Sequence, residues 1–322
     1  MQNYSFFQKK LHHLILGNKI INKSLFEIEK ILFAKKLNNF QNHKHVFITG
    51  LPRSGTTALL EFLFKTKKYA SLTYKDMPFI LSPNLFSKLT RFQEIKLKER
   101  IHKDGIMYNL DSPEAFDDIF FQNFSAEEIK DNLIIYISLV LKKYNKELYL
   151  SKNNNNYKRI RVIQSILPNT KFIIPFRNPL QHANSLFIQH QHFCLIQKKD
   201  KFILDYMNYL GHFEFGLNHK HWHKSRKYSD SLTLNYWLEQ WLLFYKNILK
   251  DFSSSPEVLF VSYEKVSSSK SIQNKLLQKL KLRSNQDFKF HLSKKNVEKN
   301  YDKKLLNQCI LIHGKLLDLT EK

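Results

Sequence analysis

Residues 45–64 read HVFITGLPRSGTTALLEFLF, and this stretch decides the fold. Its beginning, HVFITG, is a short apolar run with β-branched and aromatic residues, which predicts a buried strand that ends in a glycine. Residues 50–57 form a loop whose two glycines are five positions apart, and an apolar segment typical of a buried helix follows. A strand, a glycine-containing loop and a helix in this order are typical of the first βα unit of a phosphate-binding domain.

The loop at residues 50–57, called here the glycine loop, has features that suit a bound phosphate or sulfate. Glycine lets the backbone turn so that successive N–H groups point inward, and the following helix adds unpaired N–H groups and the positive end of its dipole. A nucleotide triphosphatase needs a lysine directly after the second glycine; here Thr56 holds that position, and the cation of the loop is Arg53. We therefore predict an anion-binding loop formed by Pro52, Arg53, Ser54, Gly55, Thr56 and Thr57.

A second anion-binding element is predicted further along the chain. Residues 171–176 are an apolar run, KFIIPF, that predicts a strand, and Arg177 follows it directly. Side chains at the carboxyl ends of parallel strands line the ligand crevice, and an arginine there can hold a phosphate through two hydrogen bonds. Ser185 lies eight residues later, in the second turn of the next predicted helix. With the glycine loop, these residues predict a ligand that carries two separate phosphate groups.

Strands alternate with helices along the rest of the chain. Further strands are predicted at YASLTY, ELYLSK and EVLFVSY, and helices over 5–37 (two), 82–103, 125–144, 157–167, 200–216 and 232–250, with one more starting near 180. This pattern predicts an α/β fold, a P-loop-like parallel sheet flanked by helices, with additional N- and C-terminal helices. The expected domains are an N-terminal helical extension at 1–43, a core at 44–268, and a C-terminal helical segment packing on the core at 269–322.

The composition indicates the kinds of ligand and compartment. The chain has 52 Lys and Arg against 28 Asp and Glu, a net charge of +24, which fits an anionic ligand. The lysines are scattered, and Asn, Ile and Phe are also abundant, as an AT-rich genome would give, so the charge is weak support. Cys194 and Cys309 make no disulfide framework. No signal-peptide pattern opens the chain, and the longest apolar stretch, near 133–141, is too short to span a bilayer. We expect a cytoplasmic protein without stable membrane insertion or a nucleic-acid partner.

These motifs resemble the sulfotransferases that use 3′-phosphoadenosine 5′-phosphosulfate (PAPS). ITGLPRSGTTALL resembles the 5′-phosphosulfate loop of that family, in the version similar to tyrosylprotein and many bacterial sulfotransferases. KFIIPFRNPLQHANSLF resembles the 3′-phosphate motif, and VSYEKV resembles a late Tyr-Glu segment of many members. The resemblance covers about residues 44–268. It implies PAPS as co-substrate, adenosine 3′,5′-bisphosphate (PAP) as product, and no metal.

The resemblance also implies roles for single residues. Arg53 and the glycine loop would hold the 5′-phosphosulfate, and Arg177 with Ser185 the 3′-phosphate. YLSKNN is similar to a family strand that ends in Lys-x-Pro, so Lys152 is the expected active-site cation, although Asn154 stands where the family has proline. The expected catalytic residues are therefore Arg53, Lys152 and a general base.

The general base has several candidates, because transfer to a hydroxyl usually needs a proton acceptor. In tyrosylprotein and heparan relatives a carboxylate beyond the loop serves, and the nearest match here is Asp76; its alternative role is that of a helix cap. Glu114 in DSPEAFDD is the second candidate, with a helix start as its alternative. His190 is a third, since it could lie near the acceptor, although a surface position is expected for it; His182 and His192 also flank the 3′-phosphate helix.

Other functions and ligands stay open from the residues. His219, His221 and His223 have a spacing that a metal could use, but no nearby cysteine or carboxylate completes a site. A P-loop kinase or phosphotransferase would need magnesium and ATP, and a non-enzymatic polyanion-binding protein would show steeply salt-dependent binding. For a sulfotransferase, we expect a small-molecule or glycan acceptor; the basic charge mildly favours an anionic acceptor such as a glycan, and small hydroxylated metabolites, lipids and peptidyl tyrosine stay open.

Overall fold

A central parallel sheet organises the molecule. The computed structural model describes residues 4–34, 40–87, 97–102, 105–224, 227–283, 287–291, 296–297 and 300–321. Its strands are β1 (Val46–Ile48), β2 (Tyr69–Ala70), β3 (Lys98–Glu99), β4 (Met107–Tyr108), β5 (Leu148–Lys152), β6 (Lys171–Phe176) and β7 (Val258–Ser262). Five of these described strands form a sheet in the order β2-β5-β1-β6-β7, with every neighbouring pair parallel, while β3 and β4 form a small antiparallel ribbon.

Helices surround the sheet. They are α1 (Phe6–Leu16), α2 (Lys19–Phe33), α3 (Thr56–Phe64), α4 (Asp118–Asn123), α5 (Ala126–Tyr144), α6 (Ile160–Ile166), α7 (Pro179–Lys199), α8 (Lys201–Tyr209), α9 (Leu234–Phe252), α10 (Tyr263–Ser268), α11 (Lys270–Lys279) and α12 (Lys303–Glu321). Short 3₁₀ turns occupy Tyr74–Asp76 and Asn154–Lys158. The predicted α/β class with a parallel sheet flanked by helices is confirmed.

Both faces of the sheet are buried, as a parallel sheet requires. In β1, Phe47 belongs to a core that includes Trp237 of α9, whereas Val46 and Ile48 belong to a second core that includes Leu59 of α3. This alternation follows from the two-residue period of a strand. Each large apolar side chain that is removed from water in these cores contributes about 1.5–3 kcal/mol. Because both faces are covered, the ends of the strands are the places left for ligands.

The terminal helices pack on this core. α1 contacts α2 and α8, and α2 contacts α4 and α5. Phe26 of α2 is fully buried against Phe120 and Phe124. α12 packs against α7, α9 and β7, with Cys309 fully buried and its Sγ 3.5 Å from the carbonyl oxygen of Leu238. Among the described residues, no helix has the length and apolar character needed to cross a bilayer.

Two sequence predictions about local structure are wrong. Within the predicted helix at 82–103, the described residues 82–87 form turns and 98–99 form β3; the rest between them, 88–96, lies outside the described residues. The turn has a physical cause, because the buried carboxylate of Glu29 accepts hydrogen bonds from the backbone N–H groups of Asn84 and Leu85, both at 2.8 Å. The helix predicted at 200–216 ends at Tyr209.

Candidate active site

The carboxyl ends of the sheet strands converge on one cavity of about 390 Å³. The glycine loop follows β1, Lys152 is the last residue of β5, Arg177 directly follows β6, and Tyr263 directly follows β7. Because β5, β1, β6 and β7 are neighbours in a parallel sheet, these residues meet at one edge. The cavity is also lined by Pro52, Arg53, Gly55, Thr56, Thr57, Glu114 and Asn154.

The glycine loop has a backbone that requires glycine at one position. Gly55 has φ +102° and caps the N-terminus of α3, a conformation in which L-residues are strained. A Cβ atom added there would lie 2.1 Å from Cδ2 of the Tyr263 ring, so the ring of the residue after β7 sits directly against the loop. The Ser54 side chain is buried and donates to the carbonyl oxygen of Leu51 at 2.7 Å. Ser54 therefore holds the turn and does not line the cavity.

His182 supports the glycine loop from behind. It is fully buried in α7, and its Nε2 lies 2.8 Å from the carbonyl oxygen of Pro52. A carbonyl only accepts, so Nε2 carries the hydrogen. Burial lowers the pKa of His182 to about 3, and the ring is neutral at physiological pH. The sequence offers a signal for this role only in hindsight: the histidine lies one helical turn before Ser185 on the same helix.

Arg53, Ser185 and Arg177 form one cluster. Arg53 Nε donates to Ser185 Oγ at 3.2 Å, and Arg177 Nη1 donates to the carbonyl oxygen of Arg53 at 3.2 Å. Glu264 faces Arg177 at 3.8 Å, and the guanidinium of Arg177 lies 5.6 Å from the centroid of the Tyr263 ring. The structure thus brings together the two elements that sequence analysis takes from separate parts of the chain. Of the three clustered residues, Arg53 and Arg177 line the cavity.

A buried carboxylate lies at the centre of the cavity. Glu114 accepts from Arg100 Nη1 at 2.5 Å and from Tyr74 OH at 3.0 Å, and it pairs with Lys152 Nζ at 3.4 Å. Arg100 Nη1 also lies 3.4 Å from Thr57 Oγ1, which joins this group to the glycine loop. Burial by itself raises the pKa of Glu114, but Arg100 and Lys152 outweigh it and hold the pKa well below its ordinary value. Glu114 is therefore an anion in the free protein.

Asp76 is not brought to this cavity. Its buried carboxylate accepts from the backbone N–H of Thr73 at 2.7 Å and from Tyr144 OH at 2.6 Å, and it forms an ion pair with Lys143. Asp76 thereby completes a capping box of the turn Tyr74–Asp76, in which Thr73 is the N-cap; the capping role is structural, although Asp76 is not itself the N-cap that the sequence suggests. The carboxylate that meets Lys152 is Glu114 instead.

The remaining histidines lie elsewhere. His190 is buried rather than exposed, 3.2 Å from Ser231 Oγ, and it lines a different pocket together with His219 and His221. His219 Nε2 is 2.7 Å from Tyr236 OH, and burial lowers the pKa of His219 to about 4. Among the described residues, no group of three or more His, Cys, Asp or Glu is arranged to hold a metal ion.

Sequence reasoning did not identify several cavity residues. Arg100 belongs to the segment KLKERIHK, where nothing distinguishes one cation from its neighbours. Tyr74 lies two residues before Asp76, and the sequence pattern in this segment favours the carboxylate of Asp76 as the functional group. Tyr263 belongs to VSYEKV, whose position after the last strand was the one usable signal. His102 also lines the cavity, and burial, followed by the charge of Arg100, lowers its pKa well below the ordinary value.

The charges of the cavity favour an anionic ligand. Among the described residues that line it, five are Lys or Arg and three are Glu: Arg53, Arg100, Lys152, Arg177 and Lys289 against Glu61, Glu114 and Glu214. The start of α3 adds the positive end of a helix dipole. Fold and site together define a class: an α/β protein with a P-loop-like strand, loop and helix, and with a cavity at the carboxyl edge of its sheet where positive side chains outnumber negative ones.

Comparison with known proteins gives the family. Residues 45–236, more than half of the chain, match the model of the sulfotransferase family, and the chain belongs to that family. No curated protein gives a match.

Solved structures similar to this chain include three sulfotransferases. Sulfotransferase STF1 from Mycobacterium tuberculosis is 12% identical, with a TM-score of 0.49 over 99% of this chain and 84% of that chain. Sulfotransferase STF9 from Mycobacterium avium is 10% identical, with a TM-score of 0.45 over 87% of this chain and 74% of that chain. The sulfotransferase domain from the curacin biosynthetic pathway is 14% identical, with a TM-score of 0.39 over 75% of each chain.

Proposed function

We propose that the protein transfers a sulfuryl group from PAPS to a hydroxyl or amine of an acceptor. The observation that supports the proposal is the cluster of Arg53, Arg177 and Ser185 beside the N-terminus of α3, which brings two guanidinium groups to one cavity and would suit a ligand with two separate anionic groups. PAPS has two such anionic groups, a 5′-phosphosulfate and a 3′-phosphate. The family match supports the reaction class.

The residues divide between the two ends of the donor. The N–H groups of the glycine loop, Arg53 and the hydroxyl groups of Thr56 and Thr57 would hold the 5′-phosphosulfate. Arg177 would hold the 3′-phosphate, and Ser185 would assist by orienting Arg53, whose Nε donates to it. Glu264 Oε1 lies 3.8 Å from Arg177 Nε, and this ion pair would help to orient the guanidinium.

Lys152 and Glu114 would carry the chemistry. In-line displacement at sulfur builds negative charge on the bridging oxygen of the leaving phosphate, and the ammonium of Lys152 would stabilise that charge. Glu114 would take the proton of the attacking hydroxyl, in the role that sequence analysis gives first to Asp76. Lys152 is the more distant of its two cations, at 3.4 Å against 2.5 Å for Arg100. When Lys152 turns to the leaving oxygen, Glu114 loses one stabilising charge and becomes a stronger base.

The test is calorimetric titration with PAP in the absence of metal, compared with AMP, ADP, and ATP with magnesium. We expect PAP to bind more tightly than AMP, which lacks the 3′-phosphate. Arg177→Ala should weaken PAP binding by about 100-fold and leave AMP binding nearly unchanged, because the lost contact is a charge-assisted one to the 3′-phosphate. The exposed Arg161 provides the matched control, and Arg161→Ala should leave both affinities unchanged.

Stronger binding of ATP with magnesium than of PAP would overturn the proposal in favour of a phosphotransferase. If Arg177→Ala weakened PAP binding and AMP binding equally, Arg177 would not be the residue that holds the 3′-phosphate. For the chemical step, Glu114→Gln should keep PAP affinity while turnover of labelled PAPS falls by about 100-fold or more. Normal turnover in that variant would exclude Glu114 as the base.

A further inference from the structure

The cavity has two chemically different ends. One end, around the glycine loop, is closed by the Tyr263 ring and by residues 288–291. The other, called here the tyrosine end, is lined by Tyr4, Tyr74, Ile101, Met107, Tyr108, Phe116, Tyr206, Met207, Leu210 and Phe215. Glu114 lies between the ends, because it accepts from Tyr74 and pairs with Arg100, which donates to Thr57 of the loop. An acceptor that reaches Glu114 from the side opposite the loop therefore occupies the tyrosine end.

The tyrosines of this end are packed together and uncharged. The rings of Tyr74 and Tyr108 lie 4.5 Å apart between centroids, and those of Tyr4 and Tyr206 lie 6.2 Å apart. Burial raises the pKa of Tyr4 to about 12, and burial raises the pKa values of Tyr74, Tyr108 and Tyr206 as well. Their hydroxyl groups are therefore neutral donors at physiological pH. A wall of aromatic rings with a few hydroxyls favours apolar ligands.

Electrostatics at the tyrosine end disfavour an anionic acceptor. Two described cations of the cavity, Arg100 and Lys152, share the carboxylate of Glu114. Glu214, next to Phe215, adds a second carboxylate and accepts from Asn154 Nδ2 at 2.9 Å. The described residues that form the tyrosine end include no lysine or arginine, so a carboxylate or sulfate on the acceptor would face these two negative groups, at a cost that burial increases.

The N-terminal segment contributes one residue, Tyr4, to the described wall of this end. Tyr4 precedes α1, and its ring makes edge contacts with His12 of α1 at 4.7 Å and with Phe202 of α8 at 5.8 Å. It is thereby fixed against α8, and its ring contributes to the cavity wall. The wall of the tyrosine end thus combines Tyr4 with Tyr206 of α8, which lies more than 200 residues later in the chain.

We propose that the acceptor is a small, uncharged and largely apolar phenol or alcohol, and that Tyr4 is a specificity residue for it. This inference rests on the proposed function. The cavity volume of about 390 Å³ lies within the roughly 300–1,000 Å³ that is usual for small-molecule sites. A glycan would bring many hydroxyl groups to a wall that offers few polar partners.

The test uses a matched pair of ligands, 2-naphthol and 6-hydroxy-2-naphthoate, which share the ring and hydroxyl and differ by one carboxylate. Their binding to the protein saturated with PAP is measured by naphthol fluorescence. We expect 2-naphthol to bind about tenfold more tightly or better, and N,N′-diacetylchitobiose not to compete. Tyr4→Ala should weaken 2-naphthol binding by about tenfold with unchanged PAP affinity. Phe7→Ala is the control, since Phe7 lies on the same N-terminal segment and is 73% exposed.

Tighter binding of the naphthoate, effective competition by the disaccharide, or unchanged naphthol affinity in Tyr4→Ala would each overturn this inference. None of these results affects the proposed donor. Conversely, a failure of PAP to bind would contradict the proposed function, while naphthol binding to the free protein would still report on the tyrosine end. The two proposals therefore fail separately.

Discussion

Replacing Gly55 by alanine tests how the glycine loop keeps its shape. The substitution acts in two ways. The backbone at φ +102° is strained for any residue with a Cβ, at a cost of about 1–2 kcal/mol. The new methyl group would also lie 2.1 Å from Cδ2 of Tyr263, and such overpacking costs about 1–3 kcal/mol. We expect Gly55→Ala to lower the free energy of unfolding by about 2–5 kcal/mol.

A double-mutant cycle separates the two contributions. In a Tyr263→Ala background the clash is absent, so Gly55→Ala should cost only the backbone part, about 1–2 kcal/mol. The coupling between the two positions should therefore be about 1–3 kcal/mol, which urea denaturation of the four proteins resolves. Gly314 provides the control, because it lies in α12 with nothing within 4 Å of an added Cβ. Gly314→Ala should stabilise the protein by about 0.5–1 kcal/mol.

Equal costs of Gly55→Ala in the two backgrounds would refute the contact between the loop and the Tyr263 ring. A harmless Gly55→Ala would refute the strained backbone as well. The same proteins should be titrated with PAP, because a displaced loop moves the N–H groups that are proposed to hold the 5′ group. We expect Gly55→Ala to weaken PAP binding. The near-UV spectrum, which reports the overall packing, should change much less.

Three further predictions concern the charged and titrating groups. Lys152→Ala should lower kcat by about 100- to 1,000-fold in steady-state kinetics, while calorimetry should show an unchanged PAP affinity. An equal loss of kcat and PAP affinity would assign Lys152 to ground-state binding of the donor. Asp76→Asn leaves the nearly buried Lys143 without its carboxylate, so the free energy of unfolding should fall by about 3 kcal/mol while kcat of the folded protein stays normal; a lost kcat would restore Asp76 as the base. His182 has a folded-state pKa of about 3, below the unfolded value of about 6.5, so the unfolded chain binds more protons and stability falls as pH drops from 6.5 towards 3. His182→Asn should flatten this slope by up to about 1.4 kcal/mol per pH unit, and an unchanged slope in pH-dependent urea denaturation would show that His182 is not buried neutral.

The parts of the site that follow from sequence are those made by continuous segments. The strand, loop and helix at 45–64 and the pair Arg177 and Ser185 each lie within one βα unit, so spacing along the chain predicts their position in space. Lys152 also ends a strand, but its predicted role came from the resemblance of YLSKNN to a family motif. In a parallel sheet, strand ends meet at one edge whatever the order of the strands, which is why separate local motifs could be combined correctly.

The choice between Asp76 and Glu114 could not be made in this way. Both are acidic residues at the start of turns, and each pattern fits a capping role. What distinguishes them is the partner each finds at long range: Lys143 of α5 for Asp76, and Lys152 and Arg100 for Glu114. Such partners depend on how non-adjacent elements pack, and periodicity does not contain that information. The helix predicted over 82–103 failed for a similar reason, since Glu29 of a distant helix holds the turn at Asn84.

The contact between Tyr263 and the C-terminal chain has a thermodynamic consequence. Tyr263 OH donates to the carbonyl oxygen of His291 at 2.9 Å, and Phe288 and Phe290 pack on Phe62 of α3 at 5.5 and 5.3 Å between centroids. A nucleotide that binds only when residues 287–291 are packed in this way would stabilise that arrangement by about 2.7 kcal/mol at 100 times its Kd. By reciprocity, the packing of this segment would favour nucleotide binding by the same free energy with which the nucleotide favours the packing. A C-terminal segment with none of the signature motifs would then contribute to the affinity for the proposed donor.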